Sequence, residues 1–284
     1  MFFRAGLKQL DQLLRGEATR ADVLKTGDLA VQSRQLFVIN IVLGMVAGFC
    51  LGWFALVNKQ LEGIWQVASC MLKVPALFLL TFSITLPSLS VFNALFQSRL
   101  RFSGVVKLLL ATLAIINALI ASLGPIIAFF ALTTESYGFM VLFTVFVFGV
   151  SGIFGMYFLL KTLRQMTMLL DELAQPVPLV DSLSGEPIEV VEPEKPKSVK
   201  KLYETWNERN GKSSPLLEQH RGERVRAIFS VWLFLFTVVG MQMAWILRPF
   251  LGNPNEPFMW FRPRTGNFFQ AVFQTIQGLL GIHS

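Results

Sequence analysis

The chain has 284 residues, of which 53% are hydrophobic and 15% charged, and its mean hydropathy is +0.55. Soluble globular domains carry about 25% charged residues, so this composition argues against a soluble domain and predicts a multi-span membrane protein. In a protein of this class, the formal net charge of +7 is expected to reflect the orientation of the chain in the membrane. No nucleic-acid partner is expected.

Residues 1–35 form a polar arm before the first apolar run. Within this arm Phe3, Leu7, Leu10 and Leu14 recur at helical spacing with basic residues between them, which predicts a short amphipathic helix. The arm lacks the continuous apolar core and cleavage site of a signal peptide. Two placements fit the pattern equally well: the helix lies on the anionic cytoplasmic leaflet, or it packs against the protein's own helices.

Five apolar runs are long enough to cross a hydrocarbon core, which takes about 20 residues per helix. They cover residues 36–57, 74–96, 108–131, 138–160 and 227–247, and none of them contains Asp, Glu, Lys, Arg or His. Lys73 and Lys107 are expected at span edges, where their stems can reach the headgroups. The sequence therefore predicts an all-α integral membrane protein, with a four-span bundle over residues 36–160 and a fifth transmembrane helix over residues 227–247.

Small residues on one face of three spans predict tight helix packing, because they let a neighbouring backbone approach closely. The helix-packing positions are Gly44, Gly48, Gly52, Ala114, Ala118, Ser122, Ser151 and Gly155. The neighbour is either another helix of the same chain, which is favoured, or another subunit. Cys50 and Cys70 are predicted to be free, buried packing residues.

The second and third spans carry polar residues near prolines, which kink helices. A candidate polar path comprises Ser83, Pro87, Ser88, Ser90, Asn117 and Pro125. The functional interpretation is a broken-helix binding site or a pore lining. The structural interpretation is two kinked helices whose polar atoms hold the bundle together. The second is favoured because no ionisable residue accompanies them.

Residues 161–226 connect the fourth and fifth spans. They begin as a continuation of the fourth helix, and residues 176–215 then become rich in proline and in alternating charge. That composition predicts an extended, flexible linker. Its expected role is to reach a cytoplasmic partner or to return the chain to the membrane.

The positive charges predict the orientation. Of the 25 Lys and Arg residues, 20 lie in the N-terminal arm, in the loop between the second and third spans, or in residues 161–226. Because positive residues gather on the cytoplasmic side, the N-terminus is expected there. Residues 248–284, called the tail below, are expected on the extracytoplasmic side.

The tail combines prolines, arginines and aromatic rings, and ends in an apolar stripe after Asn267, which is the expected helix cap. The predicted helix is too short to span a membrane, so it lies at the interface or caps the bundle. Its uncharged glutamine face favours packing on protein. The tail is therefore predicted to dock a partner through Arg248, Trp260, Arg262, Arg264, Phe268, Phe269 and Phe273.

Two resemblances concern the tail and the order of spans. The stretch WILRPFLGNP, followed by PFMWFRPRTGNFF, is similar to the C-terminal region of uncharacterised bacterial multi-span membrane proteins. The five-span order resembles the layout of Yip1-type proteins, without their sequence signature. The first resemblance implies a bacterial inner (cytoplasmic) membrane and carries no activity or site residues.

The sequence contains no metal-ligand cluster, phosphate-binding loop or hydrolase motif. It therefore predicts no catalytic residue, no metal and no cofactor. The favoured hypothesis is a non-enzymatic accessory or scaffold subunit of a larger membrane assembly, with the lipid bilayer and other membrane subunits or a second copy as partners. The alternative is a small-solute permease or channel that uses the polar path. A third hypothesis, a sensor of lipid or curvature that uses both amphipathic ends, is weaker.

Overall fold

The computed structural model describes residues 2–20, 29, 31–59, 61–95, 102–173, 215–253, 255–263 and 266–280, and every regular element in these ranges is helical. This confirms the predicted all-α class. The helices are α1 (Phe2–Leu14), α2 (Ser33–Lys59), α3 (Leu61–Leu95), α4 (Phe102–Thr133), α5 (Tyr137–Leu173), α6 (Pro215–Leu247) and α7 (Phe268–Leu280). The proposed partner-binding linker, apart from its last residue, and Arg264 lie outside the described residues, as do the side chains of Phe3 and Ser90.

Five of the described helices are long and apolar enough to cross a membrane. Their spans are Ser33–Asn58, Gly63–Ser88, Ser103–Thr133, Tyr137–Met166 and Phe229–Leu247. This confirms a multi-pass membrane protein with five spans, in a lipid bilayer.

The second span differs from the prediction, because it begins at Gly63 and not at Val74. Helix α3 starts at Leu61, directly after α2 ends at Lys59. The expectation that Lys73 lies at a span edge is therefore wrong. Lys73 is ten residues, about 15 Å along the helix axis, from the start of this span.

The five long helices form a closed ring. Helix α2 packs on α3 and α4, α4 packs on α5, and α6 packs on both α3 and α5. The ends of the ring are named by what they carry. The N-terminal end carries α1, and the tail end carries the α2–α3 turn, the α4–α5 turn at residues 134–136, and the tail.

Two apolar clusters fill the ring, one in each half. The half near the N-terminal end contains Leu108, Leu159 and Trp232, and the half near the tail end contains Phe54 and Leu251. Leu251 belongs to the tail and is 4% exposed. The tail therefore supplies part of the core and does not simply leave the bundle.

Helix α1 packs on α2 and α4. A Cβ atom on Gly6 would lie 3.4 Å from the Ile39 Cβ of α2, and Leu10 and Leu13 are buried. Of the two placements left open by the sequence, this is packing against the protein's own helices. Leu7 and Leu14 remain exposed on the other side of α1.

Candidate functional site

Helix α6 ends opposite the first half of α3, and the chain continues there as irregular backbone. The carbonyl oxygen of Pro249 accepts hydrogen bonds from Gln66 Nε2 at 3.0 Å and from Lys73 Nζ at 3.3 Å. The backbone then passes the end of α2 and the start of α3, since a Cβ atom on Gly252 would lie 2.9 Å from the Ala55 Cβ of α2 and 3.0 Å from the Gln66 Cγ of α3. Gly252 also has a φ of +61°, which favours glycine.

The tail afterwards returns to Lys73. The carbonyl oxygen of Trp260 accepts a second hydrogen bond from Lys73 Nζ. Arg248 Nη2 donates to the Pro263 carbonyl at 2.7 Å, so the first and last parts of the irregular segment are joined. The segment is thus a closed loop that folds against the membrane-spanning helices.

Helix α7 begins beside the end of α6, where Trp245 Nε1 donates to the Gly266 carbonyl at 3.0 Å. Asn267 Oδ1 accepts a bond from the Gln270 amide at 2.9 Å, which confirms the predicted cap. The second half of α7 packs on the start of α5, where Thr275 Cγ2 and Leu279 Cγ would each lie 3.5 Å from a Cβ atom on Gly138. Helix α7 therefore runs from the end of α6 to the start of α5.

Three side chains of α3 hold the irregular segment. Gln66, Cys70 and Lys73 are spaced by four and three residues and so share one helix face. Cys70 Sγ donates to the Phe250 carbonyl, and Gln66 Nε2 also reaches that oxygen at 3.2 Å. Because backbone outside helices leaves its carbonyls unpaired, this face of α3 supplies the donors that the tail lacks.

Irregular backbone at membrane depth is tolerated where it is buried in protein or lines a polar cavity. Lys73 is only 3% exposed, and its burial is likewise tolerated because its polar group is paired within the protein. Its ammonium bonds two carbonyls and lies 5.1 Å from the centre of the Phe261 ring. The sequence signal for this site was the run of donors at helical spacing in the first half of α3.

A cluster of charged side chains lies within the loop. Arg262 Nη1 forms an ion pair with Glu256, whose other oxygen accepts a bond from Asn253 Nδ2 at 3.1 Å. The Arg248 guanidinium lies 3.5 Å from the centre of the Trp245 ring. Burial, followed by the nearby Arg262, lowers the pKa of Arg248, although a guanidinium stays charged in proteins.

The predicted docking residues divide into two groups. Arg248 and Arg262 are partly buried and hold the tail's own fold. The aromatic side chains Trp260, Phe269 and Phe273 are 45%, 50% and 60% exposed, and Phe268 is half-buried. Of the predicted docking residues that the structure describes, the aromatic group is the one with exposed side chains.

The described residues of the candidate polar path do not share a face. Ser83 and Pro87 are exposed on α3, and Pro125 is exposed on α4. Ser88 accepts a bond from Trp232 Nε1 of α6 at 3.0 Å. Asn117 is fully buried and donates to Asn40 Oδ1 of α2 at 2.9 Å.

The glycines of α2 lie against α3 of the same chain. A Cβ atom on Gly44 would be 3.0 Å from the Pro75 Cα, and one on Gly52 would be 2.7 Å from the Val67 Cα. On Gly48 it would overlap the Cys70 carbonyl. These three positions bring the two helix backbones together beside the residues that bind the tail.

The remaining small residues take several environments. A Cβ atom on Gly155 would overlap Ile116 of α4, so this glycine joins α4 to α5. Ala114 and Ser151 are fully buried, Ala118 is half-buried, and Ser122 is exposed. Cys50 and Cys70 are free, as predicted.

Comparison of the chain with protein-family models, curated proteins and solved structures finds no match.

Proposed function

We propose that the protein is a non-enzymatic accessory or scaffold subunit of a larger membrane assembly, and that its folded tail contacts the partner. The supporting observation is the combination of a fixed backbone with exposed rings. Gln66, Cys70 and Lys73 hold the tail in place, while Trp260 and Phe261 beside them are 45% and 56% exposed.

A surface of this kind favours binding in two ways. A partner that binds an already ordered segment does not lose the free energy of ordering it. Aromatic side chains also contribute strongly to the centres of protein interfaces. The tail therefore has the properties of a preformed contact surface.

Helix α7 extends this surface. Phe269, Phe273, Ile276 and Leu280 recur at intervals of four, three and four residues, and all four are exposed. The opposite side of α7 packs on α5 through contacts around Gly138. A single apolar row of this kind can pack against one helix of another membrane subunit.

The proposal places the protein in a bacterial inner membrane, with its N-terminus in the cytoplasm and its tail on the extracytoplasmic side. The support for the orientation is the distribution of Lys and Arg. The support for the bacterial membrane is the resemblance of the tail to bacterial multi-span proteins.

The test is a photo-crosslinking amino acid placed at Phe273, with Phe234 as the matched control. The two side chains are 60% and 65% exposed, but Phe234 lies on α6, away from the tail. We expect discrete protein adducts in native membranes at Phe273 and none at Phe234. Adducts to lipid alone at both positions, together with a monodisperse monomer in mild detergent, would contradict the proposal.

The alternative function, a small-solute permease or channel, has one observation in its favour. An irregular segment and a buried cation, Lys73, occur within the depth of the second span, and both features mark substrate sites in transporters. In a chain with Cys50 and Cys70 changed to Ala, single cysteines at Ser88 and Asn117 test this function. Modification of these cysteines by polar thiol reagents would favour a solute path through the second and third spans. Cysteines that do not react with reagents added from either side of the membrane would argue against it.

A further inference from the structure

Cations outnumber carboxylates among the described residues around Arg262. Lys73 and Arg248 each lie within electrostatic range of Arg262, and Glu256 is the carboxylate that forms an ion pair with Arg262. These four described side chains together carry a net charge of +2. Like charges held together away from water favour a further anion.

The two members of the ion pair differ in how they are held. The Arg262 side chain is 15% exposed, whereas that of Glu256 is 51% exposed. The guanidinium is thus the more buried member of the pair, and the carboxylate is the more solvent-exposed one. The buried Nε atoms of Arg262 and Arg248 also lack hydrogen-bond partners among the described residues, so both guanidinium groups have unused donors.

The ion pair lies in a small cleft near the tail end of the bundle. Its walls are formed by Ala55, Gln66, Gly252, Asn253, Phe258 and Arg262. Ala55 is three residues from the end of the first span, so the cleft is near the membrane interface. Exposed rings such as Trp260 are typical of the headgroup zone.

We propose that this cleft binds a phosphate group, which takes the place of the Glu256 carboxylate on Arg262. The planar guanidinium fork matches phosphate as well as carboxylate, and the Asn253 amide, which now donates to Glu256, supplies a further donor. The position at the interface favours the headgroup of an anionic phospholipid as the source. Inorganic phosphate has the same chemistry and is distinguished by experiment.

The test uses the full-length protein in a neutral detergent and follows its thermal unfolding with three added compounds. These are dioctanoyl phosphatidylglycerol, dioctanoylglycerol, which lacks the phosphate, and inorganic phosphate. We expect stabilisation by the phosphatidylglycerol and none by dioctanoylglycerol. If inorganic phosphate also stabilises the protein, a free anion is a sufficient ligand. If inorganic phosphate does not stabilise it, the ligand is the phospholipid headgroup.

Two variants change the affinity in opposite directions. Glu256→Gln removes the competing carboxylate and is expected to tighten phosphatidylglycerol binding about tenfold, and Arg262→Gln is expected to weaken it about tenfold. The matched control is the exposed pair Arg15–Asp11 at the N-terminal end, where Asp11→Asn should change nothing.

The outcome for Glu256→Gln decides the proposal even if Arg262→Gln fails to fold. Binding that is unchanged or weaker in Glu256→Gln would overturn it. Equal stabilisation of the wild-type protein by dioctanoylglycerol would also overturn it, because the phosphate would then play no part.

Discussion

Lys73 Nζ donates a hydrogen bond to the Pro249 carbonyl across 3.3 Å and so joins two residues that are 176 positions apart in the chain. The same nitrogen also bonds the Trp260 carbonyl. One lysine therefore holds both ends of the loop between Pro249 and Trp260. An ammonium has three donors and no acceptor, so it suits a site built from backbone carbonyls.

Lys73→Met removes both of these bonds and keeps the apolar stem. Because two buried carbonyls lose their donor, we expect the free energy of unfolding to fall by about 1–3 kcal/mol. Residues 249–263 should also exchange their amide hydrogens faster in hydrogen–deuterium exchange. The control is Lys161→Met, since Lys161 is exposed and should have an effect within about 0.5 kcal/mol. Unchanged exchange in the tail would contradict the role given to Lys73.

Gly48→Ala tests the close contact between α2 and α3. The added Cβ would overlap the Cys70 carbonyl, and backbone cannot move aside as a flexible side chain can. Overpacking of this kind destabilises by about 1–3 kcal/mol. A lower midpoint of thermal unfolding in detergent is the expected result.

The matched control for this change is Gly149→Ala in α5. A Cβ atom on Gly149 would meet nothing within 4 Å. Alanine in a helix is favoured over glycine by about 0.5–1 kcal/mol, so this variant should be neutral or slightly more stable. Equal loss of stability in both variants would contradict the role given to the α2–α3 contact, because helix propensity favours alanine at both positions.

Local sequence patterns predicted much of this fold. Runs of about 20 apolar residues identify spans because backbone in lipid must pair within its own helix. The cap at Asn267 and the apolar stripe after it were visible because their partners are within one or two turns. These features depend on neighbours along the chain.

The fold of the tail could not be predicted in this way. Lys73 interrupts the apolar run, so a hydropathy argument places the start of the second span after it. The carbonyls that make its burial possible belong to Pro249 and Trp260, and no local pattern relates them to α3. The separation of Ser88 and Asn117 has a related reason, because the two side chains bond different helices.

The amide pair of Asn40 and Asn117 predicts a measurable coupling between α2 and α4. Asn117 donates to Asn40 Oδ1 at 2.9 Å, and Asn40 Nδ2 donates to the Leu110 carbonyl at 3.0 Å. In a double-mutant cycle with Asn40→Leu and Asn117→Leu, we expect a coupling of about 0.6–1.7 kcal/mol, the range found between membrane helices.

The reference for this cycle is Asn40→Leu combined with Thr237→Val. Thr237 bonds the Leu233 carbonyl of its own helix and shares no partner with Asn40. Changes at independent sites should add within about 0.3–0.5 kcal/mol. If the coupling measured between Asn40 and Asn117 is also within this limit, the two amides do not act together.

The arrangement of the bundle ends predicts which residues face the same side of the membrane. Glu135, in the α4–α5 turn, and Asn255, in the tail, are both exposed at the tail end, whereas Glu17 is exposed near α1 at the other end.

In a chain with Cys50 and Cys70 changed to Ala, an impermeant thiol reagent should label Glu135→Cys and Asn255→Cys on intact cells. Glu17→Cys should react only after the membrane is opened if, as we propose from the distribution of positive charges, that end faces the cytoplasm. Gly149→Cys, which faces open space within the fourth span, should stay unlabelled in both conditions. Labelling of Glu135→Cys and Asn255→Cys from different sides would contradict the arrangement of the bundle ends, and labelling of Glu17→Cys alone on intact cells would contradict the proposed orientation.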